Sequence, residues 1–188
     1  MARWEPILEQ VMRERSPRLL AYAALMTGND AEAEDVLQDA LVRAFSKGRS
    51  FDNVNLAEAY VRRTIPSVFI DRLRTRKAAE RAHHREVVLN GTLGVEPQVS
   101  HSSSDAVLDV RAALAQLPPR ERACIVLRFY DDLTVPQISE RLGVADGTVK
   151  RYLADASAKL AVTLGADADW QDSTETVGVF APAKKGTP

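Results

Sequence analysis

Apolar residues recur every three or four positions through most of the chain, a spacing that predicts helices rather than strands. Ser16 as a cap, Pro17 at the first helical position and Gly28 at the end mark one such helix. A second helix begins after Asn29. Its apolar positions are Ala33, Val36, Leu37, Ala40, Leu41, Ala44 and Phe45. The pattern predicts an all-α fold.

A change of composition divides the predicted helices into two groups. Residues 89–104 are rich in Gly, Ser, Pro and Val and carry few charges, which is typical of a flexible linker. We therefore expect two small helical domains, at residues 1–88 and 105–164. Residues 165–188 mix small, polar and acidic side chains, and we expect this tail to be disordered.

The longest predicted helix runs from about Leu56 to the region of His83. Pro66 lies inside it. A proline within a helix removes one backbone hydrogen bond, so we expect a kink near residues 62–65.

Charge is unevenly distributed, although the formal net charge is only -1. Residues 60–85 carry eight cations and two acids, whereas residues 30–39 carry five acids and no cation. A local basic block can bind a polyanion even in a neutral chain. The acidic block suggests a second, basic partner. The alternative is that both blocks are solvated helix faces.

Several classes of function lack support in the sequence. The single cysteine, Cys124, suits a buried position in a reducing cytoplasm, where we expect the protein to act. The three histidines have no metal-site spacing, and there is no nucleophile–base pair or phosphate-binding loop. We expect neither an enzyme nor a cofactor or metal. No stretch has the length of a signal peptide core or a membrane span.

The segment "TVPQISERLGVADGTVKRYL" predicts a helix-turn-helix with Gly143 in the turn. Ile138, Leu142 and Val149 are expected inside. In this motif the start of the second helix enters the DNA major groove, where Lys and Arg donate to guanine or to phosphates. The residues left available there are Asp146, Thr148, Lys150, Arg151 and Tyr152. An ordinary helical hairpin with a glycine turn is the alternative.

Three motifs in order resemble the extracytoplasmic-function (ECF) sigma factors of bacterial RNA polymerase. "LLAYAALMTGNDAEAEDVLQDALVRAFSK" resembles their core-polymerase-binding stretch, and "AYVRRTIPSVFIDRLRTRK" resembles the helix that melts and reads the promoter -10 element. "LPPRERACIVLRFYDDLTVPQISERLGVADGTVKRYL" resembles the domain that reads the -35 element. The resemblance covers about residues 16–85 and 105–162. It implies a subunit that binds core polymerase and directs promoter-specific initiation.

The resemblance also implies roles for individual residues. It implies that Asp35, Gln38 and Asp39 contact the clamp helices of the β′ subunit, with Arg43 at the border, and that the C-terminal domain meets the β flap. It places -35 contacts on the recognition-helix residues named above. The -10 contacts it implies are Phe51, Asp52, Asn53, Tyr60, Arg63, Ser67, Arg74 and Lys77. Phe51 is equally consistent with a core anchor.

The chain departs from the family pattern at several positions. Tyr60 stands where tryptophan is usual and Ser67 where asparagine is frequent, which puts the details of -10 reading in doubt. Two rival functions remain open at this point. One is a conventional helix-turn-helix regulator, and the other is a sigma-like decoy that binds an anti-sigma factor. A sigma factor could also have an anti-sigma partner.

Overall fold

The computed structural model describes residues 4–87 and 105–164, and all regular elements in these two ranges are helical. The predicted linker and the predicted tail lie outside them. The first range forms the N-terminal lobe and the second forms the C-terminal lobe. The helices are α1 Glu5–Glu14, α2 Ser16–Thr27, α3 Asp30–Phe45, α4 Val54–Val87, α5 Asp105–Gln116, α6 Pro119–Phe129, α7 Val135–Leu142 and α8 Asp146–Leu164, with a 3-10 turn at Ser46–Gly48.

The N-terminal lobe packs α2, α3 and α4 around a shared core, with α1 against α2 and α4. The corner between α2 and α3 follows the sequence closely. Gly28 ends α2 in the left-handed conformation, with φ of 68°. Asn29 caps α3, because its side-chain oxygen accepts a hydrogen bond from the backbone N–H of Glu32 at 2.9 Å. All seven predicted apolar positions of α3 are buried.

Two local details differ from the sequence expectations at this end of the chain. Ser16 does not cap α2: it is the first helical residue, and its hydroxyl lies 3.7 Å from the sulfur of Met12. The residue before the helix is Arg15, which continues the helical conformation from α1. The helix α1 is not among the elements that we predicted. The two helices follow each other so closely that no separate cap is needed.

The helix α4 continues through Pro66 over 34 residues. Pro66 is buried, and the neighbouring core residues are Val61, Ile65, Val68, Phe69 and Ile70. The proline therefore does not end the helix, and the bend expected near residues 62–65 stays a prediction.

In the C-terminal lobe, α6 and α7 pack against α8, and α5 lies against the same helix. Pro118 and Pro119 stand at the entrance of α6. The helical period of the sequence predicts Tyr130 on the core face of this helix, with Ala123, Val126 and Leu127. That prediction is wrong for Tyr130, which is 54% exposed. It follows the last residue of α6, so its ring lies at the lobe boundary rather than in the core.

The two lobes pack against each other and share a continuous hydrophobic core. The guanidinium of Arg122, on α6, is central to this contact and is only 5% exposed. It donates to the carbonyl oxygens of Met26 at 2.8 Å and of Thr27 at the end of α2. It also donates to the carbonyl of Ala115, at 3.0 Å, near the end of α5. Burial lowers the pKa of Arg122 to about 10, which still leaves it charged at neutral pH. One side chain thus caps helices from both lobes.

Candidate functional site

The helix-turn-helix is formed by α7, the turn at Gly143 and α8. Gly143 adopts φ of 61°, a conformation that favours glycine. Thr134 and Gln137 form a capping box at the start of α7. The predicted inner residues Ile138, Leu142 and Val149 are all buried. The angle between the two helices is therefore fixed by a packed interior.

The predicted -35 residues lie on the first turns of α8. Asp146, Lys150 and Arg151 are exposed, whereas Thr148 and Tyr152 are half-buried. The guanidinium of Arg151 lies over the Tyr152 ring, 5.4 Å from its centroid. Lys150 makes no ion pair or side-chain hydrogen bond with any residue described, so its ammonium is available to a phosphate or a base.

An aromatic cluster anchors the loop before α4. The centroid of the Phe51 ring lies 5.3 Å from that of Phe45 and 5.4 Å from that of Tyr60. The Arg49 guanidinium covers Tyr60 at 4.4 Å from the ring centroid. Phe51 therefore packs as a core anchor, the alternative left open by the sequence. Arg49 was not among the predicted residues; its proximity to Tyr60 depends on the fold of the loop.

Two polar residues of the same loop differ in whether their side chains are hydrogen-bonded within the protein. Asp52 is exposed. The side-chain oxygen of Asn53 accepts a hydrogen bond from the backbone N–H of Leu56 at 3.0 Å, and so caps the start of α4. The amide nitrogen of Asn53 is left to donate, so the residue can cap its helix and still contact a base edge.

The basic residues of α4 fall into two sets. Arg63 and Lys77 are exposed and have no recorded partner in the described part of the chain, and Ser67 is half-buried nearby. Arg74 instead donates to the carbonyl oxygens of Leu142 at 3.1 Å and Gly143 at 3.4 Å. The predicted -10 surface is therefore partly covered by the C-terminal lobe.

The acidic surface of α3 is paired with α4. The Arg72 guanidinium donates to Asp39 at 2.7 Å and to Asp35 at 3.2 Å. Partial burial lowers the pKa of Arg72, but the hydrogen bonds and the negative charges of Asp39 and Asp35 together raise it by more. Arg43 pairs with Asp71 at 3.0 Å, next to this site. Asp35 and Asp39 each keep one carboxylate oxygen without a recorded partner among the described residues.

Gln38 lies between the two acids in the sequence and is exposed. No hydrogen bond to another described side chain occupies its amide. Gln38 therefore adds an amide to the acidic surface of α3.

The described residues contain no group of His, Cys, Asp or Glu arranged to hold a metal ion. Among the same residues, no helix combines the length and apolar character that crossing a membrane requires.

Comparison with known proteins matches each lobe to a family region. Residues 11–79 match the model of sigma-70 region 2, and residues 108–160 match that of sigma-70 region 4. The ECF RNA polymerase sigma factor SigM of Mycobacterium tuberculosis is 31% identical over 159 residues, which cover 84% of this chain and 76% of the relative. This chain is an ECF sigma factor.

Other relatives of this ECF sigma factor extend over similar lengths. SigL of Mycobacterium tuberculosis is 32% identical, with 84% of this chain and 89% of SigL covered. The sigma-E factor of Streptomyces coelicolor is 30% identical, with 81% and 82% covered. Among solved structures, the sigma factor RpoE of Bartonella quintana, in complex with the anti-sigma factor NepR, superposes with a TM-score of 0.56 at 25% identity. The superposition covers 80% of this chain and 92% of the RpoE chain.

The ECF sigma factor directs transcription initiation, and its two lobes correspond to the two matched regions. The predictions of an all-α fold and of the family are confirmed. The sequence did not identify three residues that shape the surfaces: Arg72, Arg122 and Asp131. Arg72 was counted only as part of a basic block. Asp131 accepts a hydrogen bond from Arg62, 69 positions away, and Arg122 donates to Met26, 96 positions away. No local pattern signals these two contacts.

Proposed function

We propose that this sigma factor binds core polymerase through the exposed face of α3, around Gln38, Asp35 and Asp39. The proposal rests on the amide and carboxylate groups exposed there. Arg72 orders both carboxylates and leaves each with an oxygen for a basic partner. Leu41 and Phe45 are buried, so they hold the helix in place but are not part of the exposed face.

We further propose that α4 and the loop before it bind the -10 element. Asp52 and the amide of Asn53 are placed to contact a displaced base, and Tyr60 offers a partly exposed ring for stacking. Arg63 and Lys77 supply contacts to phosphates, which make binding dependent on salt. Ser67 and Arg74 complete the surface once the C-terminal lobe moves off it.

The recognition helix α8 supplies the -35 contacts in this proposal. The observation that carries the proposal is the exposure of Lys150 and Arg151 directly after a buried helix-turn-helix interior. Asp146 and Thr148 lie at the helix start, where a side chain meets base edges in this motif. Tyr152 is half-buried and supports Arg151. A decoy has no need of cations at these positions.

Run-off transcription tests the assignment. Core polymerase supplied with this chain should start transcripts at a subset of a promoter library. The double variant Lys150→Ala, Arg151→Ala should lose most of its dependence on the -35 sequence. The matched control, Arg13→Ala with Arg18→Ala, removes two exposed cations from the N-terminal lobe and should behave as the unmodified chain.

Three results would contradict the proposal. Transcription by the double variant that still depends on the -35 sequence rules out the role given to α8. Silence on all promoters, together with tight binding of an anti-sigma protein, favours the decoy. Specific DNA binding by the dimeric chain alone, without polymerase, favours the conventional regulator.

An anti-sigma partner is a separate proposal, supported by the structural relative RpoE, which is in complex with NepR. Such a partner would hold this sigma factor away from polymerase in the cytoplasm, where we expect both to act. Its addition should suppress run-off transcription, and excess core polymerase should restore it. Unchanged transcription with a bound anti-sigma protein would contradict this role.

A further inference from the structure

One carboxylate adds polar contacts to the packing between the lobes. Asp131, in the loop after α6, accepts hydrogen bonds from the Tyr22 hydroxyl at 2.5 Å and from Nε of Arg62 at 3.1 Å. Its side chain is 12% exposed. Both donors belong to the N-terminal lobe. The carboxylate of Asp131, on the C-terminal lobe, therefore takes its hydrogen bonds from the other lobe.

Two aromatic rings complete this arrangement. The Arg62 guanidinium lies 4.9 Å from the ring centroids of both Tyr22 and Tyr130, and the two rings are 5.6 Å apart. We call Tyr22, Arg62, Tyr130 and Asp131 the Asp131 cluster. Burial of Arg62 lowers its pKa, but the hydrogen bond and charge of Asp131 raise it by more. The charge of Arg62 is thus stabilised by contact between the lobes.

The same closed arrangement covers part of the basic surface of α4. Arg74 uses one terminal nitrogen on the carbonyls of Leu142 and Gly143, and the other on Asp71 at 3.3 Å. A Cβ on Gly143 would lie 3.0 Å from Arg74, so the turn sits directly against this arginine. A DNA backbone cannot reach Arg74 from the side occupied by the turn.

Other surfaces stay accessible in the closed arrangement. Gln38, Asp35 and Asp39 are exposed on α3, and Lys150 and Arg151 are exposed on α8. Closure therefore leaves the proposed polymerase and -35 surfaces open and restricts the -10 surface alone. Closure thus restricts binding to the -10 element and leaves the proposed -35 contacts unrestricted.

We propose that the closed arrangement, held by the Asp131 cluster, is an autoinhibited state of the free sigma factor that opens before α4 binds promoter DNA. This inference rests on the proposed role of α4 in binding the -10 element. The apparent affinity for that element is the intrinsic affinity multiplied by the fraction of molecules that are open. Loss of the cluster raises the open fraction and removes the restriction.

A distance measurement on the full free chain tests closure. Fluorescent labels on Glu9→Cys in α1 and Ala158→Cys in α8 report the separation of the lobes, and both positions are exposed. Cys124 is completely buried and does not compete for label. The unmodified chain should give one short distance, and Asp131→Asn should add a population at longer distance.

Asp132→Asn is the matched control. Asp132 is the next residue, is exposed, and has φ of 52°, a conformation that asparagine adopts readily. It should keep the short distance. The inference is wrong if Asp131→Asn keeps that distance too, or if the unmodified lobes are already apart.

A second variant guards against unfolding. If Asp131→Asn loses helical circular dichroism, Tyr22→Phe decides, because it removes one hydroxyl from the cluster and keeps the ring. Added long distances in Tyr22→Phe support the inference, and a single short distance overturns it.

Promoter complex formation supplies the functional readout. When free sigma factor, core polymerase and promoter DNA are mixed, Asp131→Asn should form complexes about tenfold faster, the factor expected from losing a hydrogen bond to a charged group. Asp132→Asn should match the unmodified chain. An unchanged rate for Asp131→Asn contradicts autoinhibition. If the unmodified chain supports no transcription, the proposed function fails while the distance measurement still judges closure.

Discussion

The backbone of Gly28 and the guanidinium of Arg122 occupy adjoining space at the boundary between the lobes. A Cβ at position 28 would lie 2.8 Å from Cζ of Arg122, and φ of Gly28 is 68°. Position 28 thus has two separate requirements, a left-handed backbone and the absence of a side chain.

Gly28→Ala should lower the free energy of unfolding by about 2–5 kcal/mol. About 1–2 kcal/mol comes from the left-handed conformation and about 1–3 kcal/mol from crowding against Arg122. Urea denaturation followed by circular dichroism measures this. Gly48→Ala is the control, since Gly48 has φ of 66° and no atom within 4 Å of the added carbon. Equal losses in the two variants would show that crowding contributes nothing.

Arg122→Met should destabilise the chain by about 3 kcal/mol. The substitution keeps an apolar stem but leaves the carbonyls of Met26, Thr27 and Ala115 without a donor, and each unsatisfied buried group costs about 1–3 kcal/mol. The same denaturation experiment applies. Arg120→Met, two residues earlier, removes a half-buried arginine with no recorded partner within the described ranges and should have a small effect. A stability of Arg122→Met close to that control would contradict the capping role.

Gln38→Ala should weaken binding to core polymerase about tenfold, the loss typical of a central interface residue. Binding is measured by titrating labelled sigma factor with core enzyme. Gln116→Ala changes an exposed glutamine at the end of α5 and should bind normally. If the two variants bind equally well, Gln38 is not at the centre of the interface.

Cys124 should react with thiol reagents only when the chain unfolds. The residue is completely buried, and burial raises the pKa of its thiol to about 12. The thiolate fraction at pH 8 falls about a thousandfold against an ordinary thiol, and reaction with a disulfide reagent slows at least as much. Denaturant should release one equivalent of thiol. Rapid labelling of the folded chain would contradict this burial.

The sequence predicted those parts of the molecule that depend on local rules. Gly28, Asn29 and Gly143 mark turns whose conformations follow from the residues themselves. The helical period of α3 identified all of its buried positions. Tyr130 was misplaced because the helical period extends one residue past the end of α6, where the chain turns towards the other lobe.

Contacts between distant residues could not be predicted in the same way. Asp131 is 109 positions from Tyr22 and 69 from Arg62. Any of the many acids could have paired with any of the many arginines, and only the packing of the lobes selects these partners. The acidic and basic blocks of the sequence indicated two charged surfaces. They did not indicate that Arg72, from the basic block, would pair with Asp35 and Asp39 of the acidic block.

Because α4 is so long, its C-terminal end extends beyond the packed core. At 34 residues it spans about 51 Å, and from Arg74 to Arg81 every residue is exposed. Arg76 pairs with Glu32 at 2.7 Å, and none of the described side chains beyond it is buried. A short helical segment without tertiary support is marginal in water, and repulsion among its cations opposes it further. A bound polyanion should therefore increase the helicity of this end of α4. The segment then becomes ordered as the polyanion binds, and its ordering contributes to the enthalpy of binding.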